Sequence, residues 1–210
     1  MYGILLYDGV EPVDIGATVG VLSLARRIAP DLRYATVAKE AGPVTCANGL
    51  VVLADHGLAD APQFQDLIVT GGPGWVQAAQ DPALLAYLRQ ATARITSICT
   101  GAMILAAAGR LTGKAATTKH EVFAGETPPA EILADGVEVQ RAALVDDHGT
   151  VTGGGVTLGF DTMFYCLARS HGEDVAWETA RVMEYSRALA ANRVELGYRY
   201  LGPAENEQAA

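Results

Sequence analysis

Cys99 lies in Ile95-Thr96-Ser97-Ile98-Cys99-Thr100-Gly101-Ala102, where a β-rich run meets a nucleophile-type residue and passes at once into helix-forming sequence. This has the form of a nucleophile elbow, with Ser97 at the usual first glycine and Cys99 in the place of serine. Small residues suit such a turn, because the helix must approach the strand closely. A sulfur held at the start of a helix is favoured as an anion, so the expectation is a thiol titrating below about 7.5. Free cysteines are commonly small core residues; the strand-to-helix setting is what argues for chemistry here. Cys46, in a hairpin pattern, and Cys166, in a helical one, read as structural.

Gly71-Gly72-Pro73-Gly74 closes another apolar run. A glycine-rich turn at a strand end lets backbone N–H groups face a site, so Gly71 and Gly72, with Gly101, are candidates for an oxyanion or substrate cradle. No Gly-Lys-Ser/Thr follows, so this is not a phosphate-binding P-loop. Asp14 sits within Val13-Asp14-Ile15-Gly16-Ala17, an odd place for a carboxylate without a partner. Were it to reach the Cys99 sulfur, the pair would hold one proton and titrate as a unit. The expectation is a thiolate facing a neutral Asp14. Glu11 reads as a helix-capping acid. His56, His148 and His171 read as surface residues; His120, after Ala115-Ala116-Thr117-Thr118-Lys119, is a candidate base, with Lys119 as a second auxiliary group.

Strand-like and helix-like segments alternate along the chain. Strands are expected over 4–7, 34–38, 67–70 and 95–98, and a hairpin around Asn48-Gly49. Further short extended runs fall at 137–140 and 143–145, before a turn at Asp147-His148-Gly149. Helices are expected from Pro12, with Val13, Val19, Leu22 and Leu24 near helical spacing, and over 83–91, 100–108, 158–169 and 175–189. This order argues an α/β domain with a mostly parallel sheet covered on both faces. The glycine loop and Cys99 then both lie at C-terminal strand ends, where such sheets place ligands.

The 210 residues suit a single domain, taken as 1–203 with a disordered tail over 204–210. A net charge of −9 and the lack of a Lys/Arg cluster weigh against nucleic acid. No apolar run approaches the ~20 residues of a membrane span, and the N-terminus lacks a basic flank. Three widely spaced cysteines suggest neither a disulfide framework nor a zinc knuckle. A reducing cytoplasm is the expected setting.

Together these motifs resemble the ThiJ/PfpI superfamily from Ile4 to about Ala168. The resemblance rests on the acid five residues after Gly9, on Thr70-Gly71-Gly72-Pro73-Gly74 and on Ser97-Ile98-Cys99-Thr100-Gly101-Ala102. Ala116-Thr117-Thr118 and Thr152-Gly153-Gly154-Gly155-Val156 with Gly159-Phe160-Asp161 complete it. Cys-Thr-Gly-Ala followed by Ala-Ala-Gly looks most like the isonitrile hydratase branch and the amidase-like domains of AraC-type regulators. The resemblance implies a flavodoxin-like sandwich, a Cys99 nucleophile with Asp14 and Thr100 beside it, an anion-binding Gly72 amide, and a homodimer. Two departures stand out. That branch usually has Ala-Thr-Thr-His-Trp where this chain has Lys119-His120, and it often has a Pro-rich segment where this chain has Glu184-Tyr185-Ser186-Arg187-Ala188-Leu189.

The expected reaction is hydration of an isonitrile to an N-substituted formamide, with no metal or organic cofactor. Rival expectations are a glyoxalase-like or amidase-like enzyme of the same superfamily, or a redox-sensing or ligand-binding stress protein. A regulator would need a helix-turn-helix domain of about a hundred further residues with a basic face.

Overall fold

All four residues of Tyr2–Leu5 and of Asp66–Val69 are buried. Side chains alternate between the faces of a strand, so such strands need cover on both sides. They form the middle of an eight-stranded sheet in the computed structural model, which describes residues 1–133 and 136–202. The strands in chain order are β1 (Tyr2–Leu5), β2 (Tyr34–Ala38), β3 (Gly42–Thr45), β4 (Val51–Ala54), β5 (His56–Gly57) and β6 (Asp66–Val69). They continue as β7 (Arg94–Ser97), β8 (Ala115–Ala116), β9 (Glu138–Val139), β10 (Leu144–Asp147), β11 (Thr150–Gly153) and β12 (Tyr198–Leu201). The main sheet runs β12-β10-β11-β7-β6-β1-β2-β5. Every pairing in it is parallel except the β10–β11 hairpin. Its order reverses between β1 and β6, since the chain leaves β1 toward β2 and returns on the other side. A flavodoxin-like sheet binds ligands at that switch point, outside the C-terminal strand ends. The antiparallel pairs β3–β4 and β8–β9 stand apart.

The first helical stretch is α1 (Pro12–Ile15), a π-helical turn over Gly16–Gly20, and α2 (Val21–Ala25). Then come α3 (Trp75–Ala78), α4 (Pro82–Gln90), α5 (Gly101–Ala107), α6 (Pro129–Ile132), α7 (Leu158–His171), α8 (Glu173–Val182) and α9 (Ser186–Glu195). α5 packs on β6 and β7 with α3 and α4 beside it, whereas α7 packs on β10 and β11 with α2 and α8. The expected sandwich, with helices covering both sheet faces, is therefore present.

Several expectations change in detail. The helix foreseen over 175–189 is two helices, broken where Glu184 takes a left-handed φ of 57°. β11 and β12 were not foreseen. On the first helix, Val13 is exposed and Val19 and Leu24 only half-buried; the buried stripe is Asp14, Ala17, Thr18, Val21, Leu22 and Ala25. That spacing is helical, with a carboxylate at its head. His171 is half-buried, its ring stacked on Tyr2 at 5.9 Å. The tail over 204–210 lies outside the described residues.

The site loops touch backbone to backbone. A Cβ on Gly74 would lie 1.9 Å from the Asp8 carbonyl oxygen, and one on Gly101 would lie 2.1 Å from that of Val69. Gly101→Ala should therefore lower stability by about 3 kcal/mol, read by urea unfolding, because backbone rather than a pliable side chain has to move. A loss below about 0.5 kcal/mol would contradict this close packing.

Candidate active site

Three strand ends converge on one spot. β1 leads through a turn into α1, which carries Asp14; β6 leads into the Gly71-Gly72 loop; β7 leads into Ile98 and Cys99. Cys99 occupies the left-handed region at φ 55°, a conformation that costs a non-glycine residue about 1–2 kcal/mol. Its N–H donates to the Gly154 carbonyl (3.0 Å), and its carbonyl accepts from Thr118 Oγ1 (2.7 Å). These two bonds hold the elbow to the segments after β11 and β8.

Asp14 is fully buried at the head of the first helix. Its Oδ2 accepts from the Gly71 N–H at 2.7 Å. Its Oδ1 is buried with no hydrogen-bond partner among the described residues. Thr100 Oγ1 accepts from the Gly72 N–H (2.8 Å) and donates back to the Gly72 carbonyl (3.2 Å). The Gly101 N–H donates to the Ile98 carbonyl at 2.9 Å. All three amides foreseen as an oxyanion cradle are thus engaged already. The geometry gives Gly71 and Gly72 the work of holding Asp14 and Thr100, and gives Gly101 the work of close packing.

Electrostatics corrects the expectation of a depressed thiol. Cys99 is buried and faces the carboxylate of Asp14, and burial first, then that charge, push its thiol up to about 11. The backbone N–H groups of Thr100 and Val156, and the Lys119 charge, pull the other way and only partly offset this. Asp14 is likewise pushed up to about 7, chiefly by burial. No hydrogen bond joins Asp14 to the Cys99 sulfur, and both shifts run upward: Asp14 is the more acidic of the two, while α5 is too short and the site too dry to support a free thiolate. Rate against pH should rise through about 7, as Asp14 ionises and can accept a proton, and fall only near 11, as the thiol loses the proton it must pass on. A profile flat from pH 5 to about 9 would contradict this coupling.

Tyr7 and Val156 are members of the site that sequence reasoning missed. Tyr7 is buried, its hydroxyl donates to the Thr70 carbonyl (3.0 Å), and burial with the charges of Asp14 and Cys99 keeps it protonated. Its position at the end of the first strand, just before Asp8-Gly9, was the available signal. Val156 has a left-handed φ of 48°, rare for a β-branched residue, and its backbone N–H favours the ionised form of the Cys99 sulfur. No hydrogen bond joins His120 to the Cys99 sulfur among the described residues. Its Nε2 lies 3.2 Å from both Thr117 Oγ1 and the Gln140 carbonyl. Cys166 is fully buried against Thr96, and Cys46 is buried in the β3–β4 hairpin turn. Among the described residues no group of three or more His, Cys, Asp or Glu side chains could hold a metal ion.

The family model described as "DJ-1/PfpI family" matches residues 3–169. The chain belongs to the DJ-1/PfpI family. Within it, the chain is 31% identical to an isonitrile hydratase of Pseudomonas putida, over 89% of this chain and 78% of that one. It is 29% identical to an HTH-type transcriptional regulator of Pseudomonas aeruginosa, over 93% of this chain but only 59% of the regulator. A ThiJ/PfpI family protein from Pseudomonas syringae superposes with a TM-score of 0.74 at 26% identity, covering 93% of this chain and 86% of that one. Among the described residues no helix is long and apolar enough to cross a membrane.

Proposed function

We propose that this protein hydrates isonitriles to N-substituted formamides, with Cys99 as the nucleophile and Asp14 as the proton carrier. The observation that carries this reading is the buried Asp14 Oδ1, unpartnered beside the Cys99 elbow while Oδ2 is fixed by Gly71. A carboxyl oxygen left bare in a dry site fits a proton that must be handed to a reacting atom. The terminal carbon of an isocyanide needs such a proton, for it accepts a nucleophile and a proton together. The similarity to an isonitrile hydratase supports the same reading.

The steps balance on these groups. Asp14 carboxylate takes the thiol proton as the Cys99 sulfur bonds to the isocyanide carbon, and then delivers that proton to the same carbon. The product is a thioimidate, Cys99–S–CH=N–R. Water adds to its C=N bond with Asp14 receiving and returning a proton. The C–S bond then breaks, sulfur regains its proton, and R–NH–CHO leaves. Thr100, held by both polar groups of Gly72, lines this path.

An amidase would need amide donors free for an oxyanion, and those of Gly71, Gly72 and Gly101 are engaged. A thiol raised by burial is also poorly suited to oxidation sensing, which favours an exposed thiolate. The test is proton NMR of a simple alkyl isocyanide with the protein, and of methylglyoxal in parallel. Formation of the formamide is expected. Consumption of methylglyoxal with no formamide would overturn the reading in favour of a glyoxalase.

A further inference from the structure

Beside the elbow lies a cavity of about 410 Å³ whose walls include Thr118, Lys119, His120, Arg141, Gly155 and Val156. Two of those walls also surround Cys99. Thr118 Oγ1 donates to the Cys99 carbonyl, and the Val156 N–H bears on the sulfur. The Lys119 stem crosses Gly155, where a Cβ would come within 3.0 Å of Lys119 Cγ; the glycine leaves the lysine its path. Arg141 is paired with Glu121, and both of those side chains are exposed. The half-buried Lys119 has no carboxylate within 4.0 Å among the described residues. The cavity walls, which also include Glu121, therefore hold one cation in excess of their acids, and they share Thr118 and Val156 with the surroundings of Cys99.

We propose that this cavity binds the substituent of the substrate and selects an anionic one, a carboxylate, through Lys119. The inference rests on the hydration reading for the identity of the reacting group, so the substrate class becomes an isocyanide that bears a carboxylate. The Lys119 charge also favours the ionised form of both Asp14 and Cys99, though less than burial opposes it. The chain as a whole carries −9, but that field is screened beyond about 8 Å at physiological salt. Inside the cavity the nearby cation decides. A carboxylate placed against Lys119 would also keep the neutral isocyanide end directed at sulfur, while the ammonium's own pull on Asp14 weakens.

The test uses two alkylating probes of nearly equal size, iodoacetate and iodoacetamide. In each the Cys99 sulfur displaces iodide, a C–S bond forms, and the thiol proton goes to solvent. Peptide mass spectrometry gives the rate at Cys99, and the ratio of the two rates is compared with that of a small free thiol. In the wild-type protein the ratio should exceed the free-thiol value by about tenfold. Lys119→Met should bring it back to about the free-thiol value, and Lys119→Arg should keep most of the preference. A wild-type ratio no higher than the free thiol's would overturn the proposal. So would a Lys119→Met variant slowed equally toward both probes, which would make Lys119 only an electrostatic tuner of the sulfur. Because the ratio needs no isocyanide, charge preference without formamide formation would sink the hydration reading alone. Formamide formation without charge preference would sink this proposal alone. Where both stand, a carboxylated isocyanide should exceed its methyl ester in kcat/KM, mainly through KM.

Discussion

Cys99→Ala is expected to abolish hydration, by about four orders of magnitude or more, with stability changed by no more than about 1 kcal/mol. The sulfur is the atom that bonds carbon, so nothing else in the site replaces it; neither Thr100 nor Tyr7 is a comparable nucleophile. Position 99 sits at φ 55°, where alanine is strained as cysteine is. Cys99→Gly should relieve that strain and be more stable than wild type by about 1 kcal/mol, and equally inactive. Turnover retained in either variant would remove Cys99 from the chemistry and leave it a core residue.

Asp14→Asn should lower hydration roughly a hundredfold or more and at the same time make the protein more stable above neutral pH. Asn keeps an acceptor for the Gly71 N–H but cannot carry the proton, whereas Asp14→Glu keeps the chemistry and displaces it by one methylene. Activity should therefore rank wild type, then Glu, then Asn. The stability effect follows from linkage. Asp14 has a folded pKa of about 7, above the ordinary 3.8, so the native state binds its proton more tightly than the unfolded chain. The stability this gives is full below the ordinary value and is lost as pH rises through about 7. The loss is of the order of 4 kcal/mol by about pH 8, and Asn, which never ionises, escapes it. Urea unfolding at about pH 5 and pH 8 reads the larger part of this, roughly 2.5 kcal/mol, since some is already lost by pH 5. Equal sensitivity of wild type and Asp14→Asn to that pH change would show that Asp14 is not the buried ionising group.

The parts of this site that were legible in the sequence are those set by local chemistry. Gly71-Gly72-Pro73-Gly74 and Cys99 each close an apolar run, so their places at C-terminal strand ends follow from pattern alone. Asp14 was conspicuous as a carboxylate among apolar residues. Its structural meaning was also legible, in the spacing Asp14, Ala17, Thr18, Val21, Leu22 and Ala25, but alanine and threonine carry too little hydrophobic signal for that stripe to outweigh Val13, Val19 and Leu24. What could not be read was the competition for donors. Whether the Gly71 and Gly72 amides face a substrate or are taken by Asp14 Oδ2 and Thr100 Oγ1 depends on contacts between segments dozens of residues apart. The direction of the Cys99 shift was missed for a related reason. A helix start argues for a thiolate, but burial beside a second acid argues more strongly against it. The C-terminal part eluded pattern because its order comes from tertiary contacts. Asp161 accepts from Tyr185 (2.9 Å), Asn192 (2.9 Å) and Tyr198 (3.0 Å), which ties α9 and the start of β12 to α7. Glu184, in the break before α9, sits just ahead of the first of those anchors.

Covalent addition at Cys99 can be trapped by rapid acid quenching and read by intact-protein mass spectrometry. With excess isocyanide, the wild-type protein should gain the mass of one isocyanide molecule, with nothing lost, and peptide mapping should place that mass on Cys99. The adduct should vanish in Cys99→Ala and decay to formamide on further incubation. Formamide produced at full rate with no adduct at any quench time, or an adduct on Cys46 or Cys166 instead, would show that the reaction does not run through the Cys99 sulfur.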